Sequence, residues 1–287
     1  MKIRKLFLFL LVPLFIFTLV GCGNNPKGAI DENKLRQANE NQRKEFIDEY
    51  NIDKLDKKTI FDMKGVLKLT TPKANVNVDF EGITDNDLNS QFKFSLTGKD
   101  STNFEIESNI TLTKQGKDKV FVSATSRQKD GTYYEFYRKI KNPGNNLLPN
   151  PGDVLNELGK TNFAELVKQL GNAIEFLKDD NNPNITYIKL KYEALNKLAG
   201  GKASGIDPNS YAIIGIKKTD NNQFHFSSAM IKMTMTMKDS GIKMEVNYEI
   251  KETTKAVPTI SESDQKSYSE INSFMDFYNK LPFKLLG

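Results

Sequence analysis

His225, the only histidine of the chain, stands between Phe224 and Phe226. On a strand it points to the side opposite those rings, outward, and any serine or cysteine triad would have to be built on it. No constellation for acid-base or nucleophilic catalysis can be assembled around it. Asp179-Asp180-Asn181-Asn182 offers oxygens of the kind calcium takes, but the central glycine and closing glutamate of an EF-hand loop are missing. The run reads as a solvated helix stop. Gly200-Gly201-Lys202-Ala203-Ser204-Gly205 has the composition of a phosphate loop without its order, and no buried parallel strand precedes it, so it reads as a linker. Met233, Met235 and Met237 alternate along one strand face. Methionine is flexible and polarisable, which suits a ligand cavity as well as a core, and both readings stand. The expectation is a protein that is not an enzyme and uses no cofactor or metal.

One cysteine remains, Cys22, and its surroundings are specific. Lys2, Arg4 and Lys5 precede an apolar stretch from Leu6 to Val20, then Gly21 and Cys22. That stretch is shorter than the ~20 residues a spanning helix needs and contains Pro13, so it reads as a bacterial export signal. Leu19-Val20-Gly21-Cys22 resembles the lipobox of bacterial lipoprotein precursors. The resemblance implies acylation of the Cys22 thiol and cleavage before it. Two or three acyl chains, at roughly 0.8 kcal/mol per buried methylene, hold a protein at a bilayer. The chain is thus expected to be exported and lipid-anchored to the cell membrane or outer membrane, with its soluble domain outside the cytoplasm.

Charge excludes another class of partner. The formal net charge is +5, and setting aside the three cations of the signal leaves +2. With no basic run interleaved with aromatics, the electrostatic footprint of nucleic-acid binding is absent.

The domain that follows the tether begins with a leash from Gly23 to about Ala29. Asp31 to Lys58 is highly charged, with Leu35, Ala38, Phe46, Ile47 and Tyr50 at near-helical spacing. It reads as a solvated helix with a thin apolar edge or, up to about residue 43, as more leash. From Phe61 to Ile140 the period changes to two. Met63, Gly65, Leu67 and Leu69, then Val76, Val78 and Phe80, then Phe92, Phe94 and Leu96, then Phe104, Ile106, Ile110 and Leu112 alternate with polar residues. With Lys119–Thr125 and Tyr133–Ile140 they predict an antiparallel meander of six strands. Turns are expected at Thr71-Pro72-Lys73, Gly82 to Asp85, Gly98-Lys99-Asp100, Gln115 to Asp118 and Asp130-Gly131.

The apolar face of such a sheet needs a cover. Helical spacing returns at Phe163, Leu166, Val167, Leu170, Ile174 and Leu177, with Asn162 as cap and Glu165 three residues on; a shorter helix over Asp153–Leu158 is expected before it. Ile185–Tyr192 reads as a strand, Glu193–Ala199 as helical turns, and Tyr211–Lys217, Asn222–Met237 and Ile242–Lys251 as further strands. Ser267 to Leu281 spaces Ile271, Phe274, Met275, Tyr278 and Leu281 as a final amphipathic helix. The expected class is α+β, a large curled antiparallel sheet forming an unclosed β-barrel with helices on its concave face. The expected organisation is a signal peptide at 1–21, a tether and charged helical segment at 22–58, a β-rich domain at 59–260 and a C-terminal helix at 261–287.

The order of elements resembles that of the LolA/LppX/LprG superfamily of exported lipid-binding proteins over roughly Phe61 to Lys251. It is a resemblance of architecture that carries no signature residues. It implies a lipid or acyl chain held between sheet and helices, with Val78, Phe80, Phe94, Ile106, Phe163, Leu166, Leu170, Ile174, Met233, Met235 and Met237 as candidate lining and the helix from Phe163 as a lid. The alternative is a surface interaction or structural lipoprotein with a solid core and no small-molecule ligand. A solute receptor with two α/β lobes is not indicated. The membrane, reached through Cys22, is the expected partner; no protein partner is indicated.

Overall fold

The structure is a computed structural model, and it describes residues 30–50, 59–85, 89–116, 119–141, 163–198, 205–220, 223–237, 241–273, 276–277 and 279. The expected signal, Cys22, the leash, the helix over Asp153–Leu158, Asn162 and most of the Gly200–Gly205 segment lie outside the described residues, as do Phe274, Met275, Tyr278 and Leu281. Thirteen strands form one sheet that curls without closing into a barrel. They are β1 (Leu35–Gln37), β2 (Ile60–Thr70), β3 (Ala74–Asp85), β4 (Ser90–Asp100), β5 (Glu105–Gln115), β6 (Lys119–Arg127), β7 (Tyr133–Ile140), β8 (Ile174–Asp179), β9 (Ile185–Lys191), β10 (Tyr211–Lys218), β11 (Phe224–Met237), β12 (Ile242–Thr253) and β13 (Ser269–Ile271). Their spatial order is β1-β8-β9-β10-β11-β12-β2-β3-β4-β5-β6-β7-β13. Every pairing is antiparallel except β13 on β7. Among the described residues the α-helices are short: α1 (Glu40–Glu49), α2 (Phe163–Leu170), α3 (Tyr192–Leu198) and α4 (Glu262–Gln265).

The expected six-strand meander is present as β2 to β7, in unbroken consecutive pairing. Its alternation is the cause: β3 runs buried-exposed from Ala74 to Phe80 without a slip, and a register error would turn its apolar face into water. Val78, Phe80, Phe94, Ile106, Met233 and Val246 are buried, and Asn77, Lys93 and Glu105 are exposed, as the pattern requires.

Two expected turns start later than the sequence pattern suggests, with Asp85 and Asp100 as the last strand residues before them. Gly82 to Asp85 belongs to β3 and Gly98 to Asp100 to β4. Gly82 is not there to bend the chain; a Cβ on it would come 2.3 Å from the Phe92 ring. Glycine in a strand can mark a close approach as readily as a turn. Gly65 works the same way, since its Cβ would meet Tyr248 Cβ at 2.3 Å and the Phe80 ring at 2.6 Å.

The helix expected from Phe163 to Leu177 ends at Leu170. Gly171 takes a φ of +56°, left-handed backbone that suits glycine after a helix. A 3-10 turn follows, and Ile174 and Leu177 lie on β8, paired with Leu190 and Tyr187. Ile174 faces the concave core, whereas Leu177 packs on the convex side. Within the charged segment, Leu35 is on β1 and the helix covers only Glu40–Glu49, started by a capping box between Asn39 and Gln42. The expected final helix does not begin at Ser267, because Ser269–Ile271 supplies backbone partners to the free edge of β7 as strand β13; Asp276 and Phe277, further along, are helical.

Both chain ends hem the sheet. At one edge, Ile30 packs on the convex face with Tyr187, Ile213 and Met230, the chain passes along the edge as β1, and α1 then places Phe46 in the concave core. At the other, the chain leaves β12 and crosses the convex face: Lys255 pairs with Asp62 at 2.7 Å, the Gln115 amide donates to the Ile260 carbonyl, and the Tyr268 ring meets Phe121. It becomes β13 at the edge and then brings Phe277 to the concave side against Phe136, 1% exposed.

Candidate functional site

The candidate lining residues do come together. Val78, Phe80, Phe94, Ile106, Phe163, Leu166, Leu170, Ile174 and Met233 belong to one continuous concave core, with Met235 half-buried against it; the Met237 side chain is outside the described residues. None of the nine exceeds 8% exposure. An acyl-chain cavity of several hundred Å³ would leave its walls accessible to water-sized contact. These walls are covered instead, by protein.

The filling is most explicit at the end of the sheet where β8 and β10 finish and β9 and β11 begin. Phe163 of α2 stacks on Tyr50 just past α1, ring centroids 4.1 Å apart, and meets Phe46 and Phe176 edge-on. Phe46 in turn meets Phe224 edge-on at 5.3 Å. These offset and edge contacts suit the ring quadrupoles. Burial pushes the Tyr50 hydroxyl well above its ordinary pKa, which keeps it neutral in the knot. Phe46 and Tyr50 carried a helical-edge signal in the sequence, but nothing local shows that the edge docks inside the sheet.

Above this knot lies an open groove of about 360 Å³ at the mouth of the concave face. Phe46 and Phe224 are its floor, and α1, the β8–β9 turn and the end of β10 are its walls. Lys218 bonds Glu49 at 2.6 Å, and Arg36 is paired with Asp180. Lys178 donates to the Pro183 carbonyl at 3.2 Å and has no carboxylate within 4 Å among the described residues. Its burial holds its pKa below the ordinary lysine value, against the pull of Glu45 and with the push of Lys218 and Arg36.

Asp179 and its neighbours were read as a helix stop; they form the β8–β9 turn. The Asp179 carboxylate accepts from the Asn181 backbone and from the Asn181 and Asn182 side chains, and these bonds lower its pKa. Its oxygens serve the turn. Among the described residues no group of three or more His, Cys, Asp or Glu side chains is placed to hold a metal ion. His225 faces away from Phe224 and Phe226, half-buried, with Nε2 3.2 Å from Glu252.

The convex face holds what sequence reasoning missed. Behind β9, β10 and β11, the Tyr211 hydroxyl shares its one proton between the two Glu32 carboxylate oxygens, at 2.7 and 2.8 Å, and Glu32 accepts a further bond from Lys232 at 2.5 Å, with Lys189 at 4.0 Å. Lys189 also lies over the Tyr211 ring. Burial alone would raise the Glu32 pKa, but the bonds from Lys232 and Tyr211 and the two lysine charges outweigh it and leave it lowered. Lys232 is raised correspondingly, its bonds to Glu32 and Tyr211 overcoming its own burial. Alternation with Met233 and Val246 puts Lys232 and Glu245 on the outer face, yet Lys232 is half-buried for this reason and Glu245 is half-buried between Lys243 and Lys68. The available signal was the unbroken apolar run Ala212-Ile213-Ile214, which no one-sided strand explains.

No helix among the described residues is long and apolar enough to cross a membrane. No family model and no curated protein sequence matches the chain.

Proposed function

We propose that this chain is an exported, non-catalytic protein held at a membrane by acyl groups on Cys22, whose half-barrel is a scaffold filled by its own side chains and presents binding surfaces on its exterior. The observation that supports the scaffold reading is the near-complete burial of the concave candidates, from 0% at Val78 to 8% at Phe163. The anchoring rests on the lipobox-like Leu19-Val20-Gly21-Cys22. Cys22→Ala should leave the precursor uncut at this site and unacylated; unchanged detergent-phase partitioning and processing would refute it.

A second reading has one observation in its favour. α2 carries Phe163, Leu166, Val167 and Leu170 as a compact apolar stripe closing the concave face, and in an architecture resembling LolA, LppX and LprG a lipid or acyl chain would take the place of that stripe. One titration separates the two. With a fluorescent fatty acid or phospholipid, the scaffold reading expects no saturable uptake, and Leu170→Trp only destabilises, by about 1–3 kcal/mol as overpacking does. Saturable uptake that Leu170→Trp abolishes would establish the exchangeable lid.

A further inference from the structure

The hem at the N-terminal edge starts close to the anchor. Ile30 is already 4% exposed in the convex cluster, Glu32 is held by Tyr211 and Lys232, and β1 is paired with β8. Only eight residue steps separate Ile30 from Cys22. At full extension they reach about 28 Å, since a residue spans at most ~3.3–3.6 Å. We propose that the convex face of β8–β11 around this latch is the surface of the protein that lies against the phospholipid headgroups, while the mouth groove and α1 look away from the bilayer. The inference rests on the acylation of Cys22.

Two observations support that occupant. The first is geometric: the leash ends on the convex face, and six strand spacings separate β10 from β5, about 29 Å at ~4.8 Å each. A leash whose full reach only about equals that width holds the half of the convex face around Ile30 close to the membrane and puts β5 at the limit of its reach. The second is charge. Lys34, Lys189, Lys191, Lys217 and Lys232 surround the latch against four carboxylates, Asp31, Glu32, Glu175 and Asp179. A small basic excess beside an acyl anchor favours anionic headgroups.

The test uses the full-length acylated protein in vesicles of phosphatidylcholine and phosphatidylglycerol. Acylation occupies the only native thiol, so Lys191→Cys, beside Tyr211 on the convex face, and Asn109→Cys, exposed on convex β5, can each be labelled with a fluorophore. A lipid carrying a nitroxide on its headgroup should quench the label at 191 several-fold more than the label at 109. Equal quenching, or stronger quenching at 109, overturns the orientation. Mass measurement of the N-terminal peptide on the same samples separates the two claims: an unacylated Cys22 overturns the anchored reading and the orientation with it, whereas an acylated Cys22 with equal quenching overturns the orientation alone.

Discussion

The two edges of the sheet are finished in the same sequence of moves by opposite ends of the chain, and they differ in chemistry. Each terminal segment starts on the convex face, adds a three-residue strand at the edge and ends with a phenylalanine in the concave core. An unpaired edge strand invites pairing with another chain, and a short charged strand with a covered flank prevents it. At the N-terminal edge the convex contact is a small apolar cluster plus the Glu32–Tyr211–Lys232 network, and the concave contact is a five-ring knot. At the C-terminal edge the convex contact is aromatic, Tyr268 on Phe121 and Tyr137, with Glu270 pairing Lys141 at 3.0 Å outside it. The comparison teaches that edge protection fixes a geometry and leaves the chemistry open. Both hems carry a carboxylate held below its ordinary pKa, Glu32 half-buried in the latch and Glu270 exposed beside Lys141, so the larger acid response is expected at the N-terminal hem.

The comparison can be broken most forcefully at Phe46, which joins α1 to the sheet. Phe46→Ala should cost about 3–5 kcal/mol, the usual loss for a buried phenylalanine, measured by urea unfolding; a cost below 1 kcal/mol would mean that α1 is an appendage. A smaller effect is expected at the other edge. Tyr268→Ala removes two edge-on ring contacts worth roughly 0.5–1.5 kcal/mol each. Hydrogen exchange should then speed up at Lys141, whose amide donates to the Ile271 carbonyl, while the amides of β3 keep their protection. Loss of protection throughout β3 would show that the C-terminal hem is inseparable from the meander.

Whether the convex cluster is a true second core is sharpened by a pair of variants on one strand. Ile213 and Ile214 point to opposite faces and are 1% and 8% exposed. Ile213→Val and Ile214→Val should each cost about 0.5–1.5 kcal/mol; a neutral Ile213→Val would reduce the convex cluster to a surface contact.

The smallest effect concerns Glu32. Its folded pKa is lowered, so its contribution is present above the unfolded value of about 4.3 and is lost as pH falls through the lower folded value. Because the carboxyl is only half-buried, that contribution should stay under about 1 kcal/mol. Glu32→Gln should remove the corresponding part of the acid dependence of protection at β1, and an unchanged pH profile would dissociate the latch from the hem.

By itself the sequence determined the strands of the meander, the strands from Ile185 to Lys251, the curled α+β class and the apolar set of the concave face. Period-two alternation is a local property, and where one face is wet and the other buried it specifies register without help. What it could not determine was decided by contacts distant in the chain. β8 was hidden because Ile174 and Leu177 continue a helical spacing that Gly171 interrupts. β1 and β13 are three residues long and exist only because a sheet edge offers partners. Gly82 looked like a turn until the Phe92 ring was placed beside it. Tertiary structure also decided how closely the apolar set packs, which a pattern of apolar residues does not specify; Phe46, Tyr50, Phe163, Phe176 and Phe224 meet from four separate segments.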